Sequence, residues 1–345
     1  MPPQAVVVTE HQAHARSCPQ CGQRTWAEIP AAIRARVLGP NLEAALTLLS
    51  AEFHLSRRQV VAVATNLLGL PISLGAVTQY QFRTSAALEP YYHETVHAVR
   101  SAAAKNVDET GWPLRGKLGW LWGAATQGAA HFRLHRERRR TSLRALLGRA
   151  PRGVICHDRW HAYAQLPAEQ SQICWAHLRR DFQALIDRGG PGESLGHQGL
   201  AVSAGLFTHW HAWREERLTR TQLQAALEPH KTQLRQALEA ARDGPDRKAA
   251  RLATRLLTRF PRLWTFAVAP GVEPTNNHIE RLLRPAVLWR KISNGCQSRE
   301  GLRFVERALS VIQTLKLQAR PTLAPIAAAV TATRSQAKCP YLIPI

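Results

Sequence analysis

A succession of short strand-like segments between residues 103 and 157 most constrains what this chain can fold into. Two segments alternate as half-buried strands do, with apolar side chains at Leu118, Trp120, Trp122 and Ala124 and at Phe132 and Leu134. A further strand is predicted to end at Asn106–Glu109, and Val154–Cys156 is a compact apolar strand. Arg140–Leu147 has the pattern of a short helix. The order strand, strand, strand, helix, strand predicts an α/β sheet.

Helical periodicity dominates residues 40–100. One apolar stripe contains Leu42, Ala45, Leu46, Leu49 and Phe53. Ser56 is predicted to cap a helix at Arg57–Leu68, and Ser73 to cap the next one. Helix, short turn and helix over residues 56–82 form the outline of a helix-turn-helix. Its second helix carries few basic residues, so DNA contact and simple helical packing both remain open.

The second half of the chain is also largely helical. Gln172–Trp175 predicts one more strand, and residues 176–186 predict a helix after it. Leucine stripes then run through residues 187–272, at Leu223, Leu227, Leu234 and Leu238 and at Leu252, Leu256 and Leu263. A turn, a helix and a basic loop are expected from residue 273 onward, followed by a last amphipathic helix. The Ala/Pro-rich tail after Arg320 is expected to be loosely ordered in part.

The charge of the chain indicates its class of partner. Its 345 residues include 46 lysines and arginines against 24 acidic residues, a formal net charge of +22. Such a balance indicates a polyanion, most commonly nucleic acid. No apolar run approaches the ~18–20 residues of a membrane span. With six cysteines and no secretory features in Met1–Glu10, we expect a cytoplasmic, nucleoid-associated protein with no membrane partner.

Three acidic residues stand out in this basic chain. Asp108 and Asp158 lie at the ends of predicted strands, and Glu280 lies in a predicted helix. Carboxylates at the ends of neighbouring strands converge on one edge of a sheet, where a crossing helix can add a third. Such a trio suits two Mg²⁺ ions, which prefer oxygen ligands and promote phosphoryl transfer. The alternative is that each residue is a turn or N-cap residue.

Four segments around these residues carry a family resemblance. They are Asp108–Trp112 (Asp-Glu-Thr-Gly-Trp), His157–Tyr163 (His-Asp-Arg-Trp-His-Ala-Tyr), Cys174–Arg180 (Cys-Trp-Ala-His-Leu-Arg-Arg), and Asn276–Pro285 followed by Arg290-Lys291. Their sequence and spacing resemble the motifs of the IS66-family transposases over roughly residues 36–318. The chain departs from that pattern at Val107, where the family usually has Ala, and at His157, where it has Ser.

The resemblance implies a DDE transposase with an RNase H-like catalytic core. It implies that Asp108, Asp158 and Glu280 hold Mg²⁺ or Mn²⁺, and that a helical insertion separates the second Asp from the Glu. It also implies binding to double-stranded DNA, both terminal inverted repeats and target DNA, with strand cleavage and strand transfer. A homo-oligomer is expected, and accessory proteins of the same element are candidate partners. The alternatives are a catalytically silent DNA-binding relic and a nuclease without strand transfer.

The predicted division of the chain has four parts. Residues 1–33 form a short Cys-x₂-Cys segment, and residues 34–102 form the helical region. The catalytic domain spans residues 103–320, with the helical insertion at about 187–272. Residues 321–345 form a C-terminal tail.

Candidate DNA contacts follow from the third motif and from one aromatic residue. They are Arg284, Arg290, Lys291, Asn277 and Trp175. The alternatives are a solvated cationic face for the basic residues, a helix N-cap for Asn276-Asn277, and a core position for Trp175. Arg281 is expected to point partly away from the phosphate-contacting face. Glu109 is expected on the opposite strand face from Asp108, supporting the site or in solvent.

Two cysteine motifs raise the question of further metal sites. Cys18 and Cys21 form one C-x₂-C, which could bind Zn²⁺ with nearby histidines or be a vestigial knuckle. Cys174 and His177 form a C-x₂-H signature for which two further ligands are not evident, so structural support is the favoured interpretation. His157, next to Asp158, either tunes the site or fills space.

Overall fold

The computed structural model describes residues 6–34 and 37–343. The chain divides into two units: a terminal unit, made of Met1–Tyr92 and Leu288–Ile345, and a central unit, His93–Val287. No helix in the described part of the chain combines the length and the apolar character needed to cross a membrane.

The described residues contain strands in both units. They are β1 (Ala15–Ser17), β2 (Arg24–Trp26), β3 (Ala104–Leu114), β4 (Lys117–Ala125), β5 (Ala130–His135), β6 (Val154–His157) and β7 (Ser171–Ile173). β1 and β2 form a small antiparallel hairpin. The other five form one mixed sheet in the order β5-β4-β3-β6-β7.

Helices account for most of the remaining described residues. They are α1 (Ala31–Arg34), α2 (Pro40–Ala51), α3 (Arg57–Leu68), α4 (Leu74–Ala87), α5 (Glu89–Ser101), α6 (Arg140–Leu147), α7 (Trp175–Arg188), α8 (Glu193–Arg214), α9 (Arg220–Arg242), α10 (Arg247–Leu257), α11 (Thr265–Val268), α12 (Asn277–Ser293), α13 (Arg299–Leu317) and α14 (Leu323–Ser335). Short 3₁₀ helices occupy His161–Tyr163, Ala168–Gln170 and Phe260–Leu263.

The sheet of the central unit confirms the predicted α/β character. β3 pairs antiparallel with β4, and β4 with β5, whereas β3 pairs parallel with β6, and β6 with β7. α6 falls at the predicted residues, between β5 and β6. The second half of β4 is buried on both faces, which is why its large apolar residues are not confined to one side.

The sequence predicted that Asp108 lies at the end of a strand. In the structure it lies inside β3 instead. The hairpin explains this, because β4 pairs with β3 from Asn106 to Leu114, through a turn with positive φ at Arg115 and Gly116. The pairing of β3 with β6, however, stops at Asn106. Beyond that residue no strand in the described part of the chain pairs with β3 on its β6 side, so this edge is open where Asp108 and Glu109 lie.

The leucine stripes are confirmed as the interior of a helical layer. The residues at 223, 227, 234 and 238, on α9, are buried in one apolar cluster together with residues of α7, α8 and α10. α8 approaches α7 at Gly199, where a Cβ atom would lie 2.5 Å from the ring of Phe182. Trp175 begins α7 rather than ending a strand, because its indole packs edge-on against Trp264 in this cluster.

The terminal unit confirms the predicted helices α3 and α4. Ser56 and Gln59 form a capping box at the start of α3, which ends at Gly69 in the left-handed conformation. Ser73 caps α4 by accepting a hydrogen bond from the backbone N–H of Ala76 at 3.1 Å. Phe53 does not join the stripe of α2, because it lies after the helix and is exposed. DNA contact by α3 and α4 stays a prediction.

The region after Arg320 is more ordered than its composition suggested. It contains α14, which packs against α2 and α4. Ile326 and Val330 are buried on this helix, and Arg334 forms an ion pair of 2.5 Å with the buried carboxylate of Glu43. Alanine favours helix, and burial of the apolar face stabilises the segment, so expecting a loose tail was wrong for these residues.

Candidate active site

The sheet register places Asp108 and Asp158 beside each other. Asn106 on β3 is opposite Cys156 on β6 in a parallel pair. Each aspartate lies two residues further along its own segment, so the side chains start on the same face of the sheet. Oxygen atoms of Asp108, Glu109 and Asp158 lie within 4.8 Å of one another. The two predicted carboxylates are therefore brought together, and a third from the first motif joins them.

Glu109 is buried rather than in solvent. Its Oε1 accepts a hydrogen bond from Arg138 Nε at 2.6 Å, and its Oε2 accepts one from the Tyr163 hydroxyl, also at 2.6 Å. Neighbouring residues of a strand point to opposite faces. At the open edge of β3, however, the carboxylates of Asp108 and Glu109 both come within 4.8 Å of Asp158. The Asp-Glu spacing alone carried no signal of this.

Arg138 connects two of the carboxylates. Besides its bond to Glu109, its Nη2 lies 3.9 Å from Asp158 Oδ2. The guanidinium stands over the rings of Trp120 and Trp160, 4.7 and 3.9 Å from their centroids. A planar cation between aromatic faces is held in one orientation. Arg138 lies in none of the four motifs, so its role could not be predicted from them.

The loop after β6 is fixed around Asp158. Asp158 Oδ1 accepts a hydrogen bond from the backbone N–H of Trp160 at 2.8 Å. The ring of His157 stacks on Tyr163 at 4.4 Å between centroids, and its Nε2 lies 2.8 Å from Ser171 Oγ. Burial lowers the pKa of His157 to about 4, so the ring is neutral at pH 7. His157 thus supports the loop through hydrogen bonds as well as filling space.

Glu280 lies in the first turn of α12, facing His177 of α7. The distance from Glu280 Oε1 to His177 Nδ1 is 3.7 Å. Both atoms are buried and have no hydrogen-bond partner within the described residues. Ligand atoms of Cys174, His177 and Glu280 lie within 4.8 Å of one another, in a group separate from that of Asp108.

Asn276 ties the start of α12 to β3. It immediately precedes the helix, where the sequence predicted a capping role, but its amide instead donates to the backbone oxygen of Val107 at 2.8 Å. Its Oδ1 accepts a bond from Asn106 at 3.1 Å, and its backbone N–H donates to Cys174 Sγ at 3.1 Å. The side chain thus bonds to the strand that carries Asp108, four residues before Glu280.

Asp108 and Glu280 line the same open cleft, of about 580 Å³. Its other lining residues are Glu109, Thr110, His177, Arg180, Asn277, Arg281, Leu283, Arg284 and Val287. The exposed side chains of Asn277 and Arg284 lie here. Arg281 lines the cleft as well, and the expectation that it points partly away from the phosphate-contacting face stays a prediction. Arg180 is a further cation at the cleft. It belongs to the motif Cys174–Arg180, which by itself predicted no role for this residue.

The remaining candidate residues lie elsewhere. Arg290 and Lys291 are in the last turn of α12, on the same helix as Glu280 and Arg284, and belong to the terminal unit. Trp175 is fully buried, and its indole N–H donates to the backbone oxygen of Leu263 at 2.8 Å. This position agrees with the core alternative.

The Cys-x₂-Cys segment forms the turn of the β1–β2 hairpin. The backbone N–H of Cys18 donates to Gln23 O at 2.8 Å. Backbone N–H groups of Cys21 and Gln20 lower the pKa of the Cys18 thiol. Within residues 6–34 and 37–343, no third histidine, cysteine or carboxylate completes a ligand group with Cys18 and Cys21. A zinc site at this turn stays a prediction.

The carboxylates of the site repel one another. Burial raises the pKa of Asp108 to about 8, and the neighbouring charges of Glu109, Asp158 and Glu280 add to the effect. Burial likewise raises the pKa of Glu109, against the hydrogen bonds from Tyr163 and Arg138. Clustered carboxylates of this kind gain from a bound cation.

The chain matches a known protein family. The sequence model of the family described as Transposase IS66 family matches residues 36–303, which is most of the chain. No curated protein matches the chain.

Proposed function

The chain belongs to the IS66 transposase family, and from that premise we propose that it is a DNA transposase that uses divalent metal ions. In this proposal it binds the terminal inverted repeats of an insertion sequence, cleaves a strand there and transfers it to target DNA. Asp108, Asp158 and Glu280 are the proposed metal ligands. The observation that carries the proposal is the register of β3 and β6, which brings two carboxylates of separate motifs to one open edge.

We propose that the central unit contains an RNase H-like core. An antiparallel β5-β4-β3 meander extended by parallel β6 and β7 supports this, with Asp108 on the middle strand. The layer from α8 to α11 is then the helical insertion between Asp158 and Glu280. The predicted four-part division of the chain remains part of this proposal.

The donor set fits Mg²⁺ or Mn²⁺. The group around Asp108 offers carboxylate oxygen, the ligand type that hard cations prefer. The raised pKa of Asp108, and the buried Oε1 of Glu280 that accepts no hydrogen bond within the described residues, both fit a site that binds a cation. Metal ions bound there would supply Lewis-acid activation of the attacking and leaving oxygens of a phosphodiester.

The protein's own residues orient the site and the substrate. Arg138 holds Glu109 and stands close to Asp158, so these carboxylates keep one geometry in the absence of substrate. Arg281 and Arg284, on the exposed side of α12, present cations to the cleft and are proposed to contact the DNA backbone together with Asn277. The charge of +22 favours duplex DNA in the same way.

Strand cleavage on a labelled duplex that carries the DNA flanking the gene would test this proposal. Wild type, Asp158→Ala, Glu280→Ala and the exposed control Asp187→Asn are compared with Mg²⁺, with Mn²⁺ and with chelator. We expect metal-dependent cutting by wild type and the control, and none by the other two variants. Joined products would identify strand transfer, and cutting without joining would indicate a nuclease. Binding without cutting by all four proteins would contradict catalysis and favour a DNA-binding relic.

Partners beyond DNA are also proposals. Joining two element ends requires that both be held at once, so we propose a homo-oligomer. Accessory proteins of the same element remain candidate partners.

A further inference from the structure

The segment around α6 is the most concentrated run of positive charge in the central unit. Residues 133–152 contain eight arginines and a single acidic residue, Glu137. All of these arginines except Arg138 are exposed. The proposed catalytic site uses only Arg138, which leaves the charge of the other seven unexplained.

α6 is firmly attached to the sheet. Its buried side contains Leu143, Leu146 and Leu147. Its C-terminal carbonyl groups are also held, because Arg100 donates to Leu146 O at 3.0 Å and Arg133 donates to Ala145 O at 3.2 Å. The opposite side of the helix is therefore presented to solvent in a fixed orientation.

Three of the exposed arginines line one cavity. Arg140 and Arg144, one helical turn apart on α6, and Arg149, in the following loop, surround a space of about 310 Å³. Gln165 and Gln170 contribute to its rim. Across the described residues, none of the three guanidinium groups forms a hydrogen bond or an ion pair.

The arrangement is electrostatically unfavourable unless an anion occupies it. Like charges one helical turn apart destabilise a helix by about 0.2–0.5 kcal/mol, and a third cation at the same cavity adds to this. Guanidinium groups donate several hydrogen bonds in a plane, which suits phosphate oxygens. A merely solubilising surface would not need its cations to converge on one concave space.

The location of the cavity favours DNA as the anion. Arg138 contacts Glu109 and stands near Asp158, and α6 begins two residues after it. α6 thus follows directly on the residue that contacts the carboxylates, so a cationic surface on this helix belongs to the same part of the central unit as the proposed site.

We propose that Arg140, Arg144 and Arg149 form a phosphate-binding surface for duplex DNA, in addition to the basic face of α12. We call these three residues the α6 arginine surface. The proposal rests on the proposed function in taking DNA as the substrate. It adds a second place on the central unit where the backbone of that DNA is held.

The salt dependence of DNA binding tests this surface. Fluorescence anisotropy with a labelled duplex of arbitrary sequence, in chelator, gives the slope of log K against log salt. Replacing the three arginines together by glutamine should make this slope less negative by about 2–3, because each phosphate contact contributes about 0.9. At about 0.1 M salt, affinity should fall by about tenfold or more.

A matched control separates local contacts from total charge. Replacing Arg214, Arg217 and Arg242 by glutamine removes the same charge from exposed positions in the helical layer. We expect the slope of this control to change by less than about 0.9, the contribution of one phosphate contact. If the triple variant does not fold, the single variant Arg149→Gln, in a loop, can be measured instead. Its slope should become less negative by about one.

The outcomes distinguish this inference from the proposed function. The proposed surface would be contradicted by equal slopes for wild type and the triple variant, or by equal losses of affinity in the triple variant and the control. It would also be contradicted by an unchanged slope for a folded Arg149→Gln, or by no binding of duplex by wild type. Failure of the proposed function appears separately, as absence of metal-dependent cutting by wild type. Retained cutting of saturating short duplex by the triple variant, together with the reduced slope, would support the surface.

Discussion

Replacing Asp108 by asparagine is expected to make the metal-free protein more stable. The carboxyl group is buried beside Glu109 and Asp158, and its pKa is raised from 3.8 to about 8. At pH 7 the unfolded chain carries this group ionised, so folding must return a proton to it or bury the charge. Each pH unit between 3.8 and 7 contributes about 1.4 kcal/mol, which gives a penalty of about 4 kcal/mol.

Asparagine removes this penalty and keeps the main local contact. Its Oδ1 can still accept the hydrogen bond that the Glu109 N–H donates to Asp108 Oδ1 at 2.8 Å. Because the buried amide has its own desolvation cost, we expect a net gain of about 2–4 kcal/mol. In a unit of this size that corresponds to a rise in Tm of roughly 5–10 °C.

The sign of the pH dependence follows from the direction of the shift. Between pH 3.8 and about 8 the folded protein holds a proton that the unfolded chain has released. Wild-type stability therefore falls as pH rises through this window, and the advantage of Asp108→Asn grows until about pH 8 and then levels off.

Thermal unfolding by calorimetry in chelator, from about pH 5 to about pH 9, measures this difference. The control Asp187→Asn, on the exposed end of α7, should change stability by less than about 0.5 kcal/mol. Added Mg²⁺ should stabilise wild type and not Asp108→Asn. A lower Tm for Asp108→Asn in chelator at about pH 8, or an advantage that shrinks as pH rises, would refute the reasoning.

Three further variants test separate parts of the site and the fold. Arg138→Gln is expected to lower metal-dependent cleavage by about 10–100-fold, because Asp158 and its neighbours lose a shared anchor; wild-type rates would contradict this. Gly153→Ala should lower the free energy of unfolding by about 2 kcal/mol or more, since φ is +67° and the new Cβ would meet the backbone oxygen of Ala103; an unchanged denaturation midpoint would exclude that close approach. Asn276→Ala leaves a buried carbonyl of β3 unpaired, so chemical denaturation should show a loss of about 1–3 kcal/mol and cleavage should fall as α12 loosens; full cleavage activity would argue against the positioning role.

Local sequence patterns were sufficient for elements that depend on their own residues. The capping box at Ser56 and the terminating glycine at Gly69 set the ends of α3, and the alternation in β4 and β5 predicted both strands. The leucine stripe of α9 predicted which side of that helix is buried. In each case the pattern that predicts the element lies within one helix or along one strand.

Patterns failed where a distant segment decided the outcome. The order of α14 depends on burial against α2 and on the ion pair of Arg334 with Glu43, almost three hundred residues away in sequence. β3 continues past Asp108 because β4 pairs with it. Asn276 bonds to β3 rather than capping α12 because a backbone oxygen of that strand lies 2.8 Å from its amide.

The sequence by itself determined the α/β class, the basic charge that favours DNA, and three acidic residues within recognisable family motifs. Only the tertiary structure decided how the charges around those residues are arranged. It buried Glu109 beside Asp108, placed Arg138 between two indole rings, and left Oε1 of Glu280 facing His177. The reason is physical: a motif specifies which side chains are present, whereas a pKa or an ion pair depends on distance and burial. Those are set by segments that the sequence separates by tens to hundreds of residues.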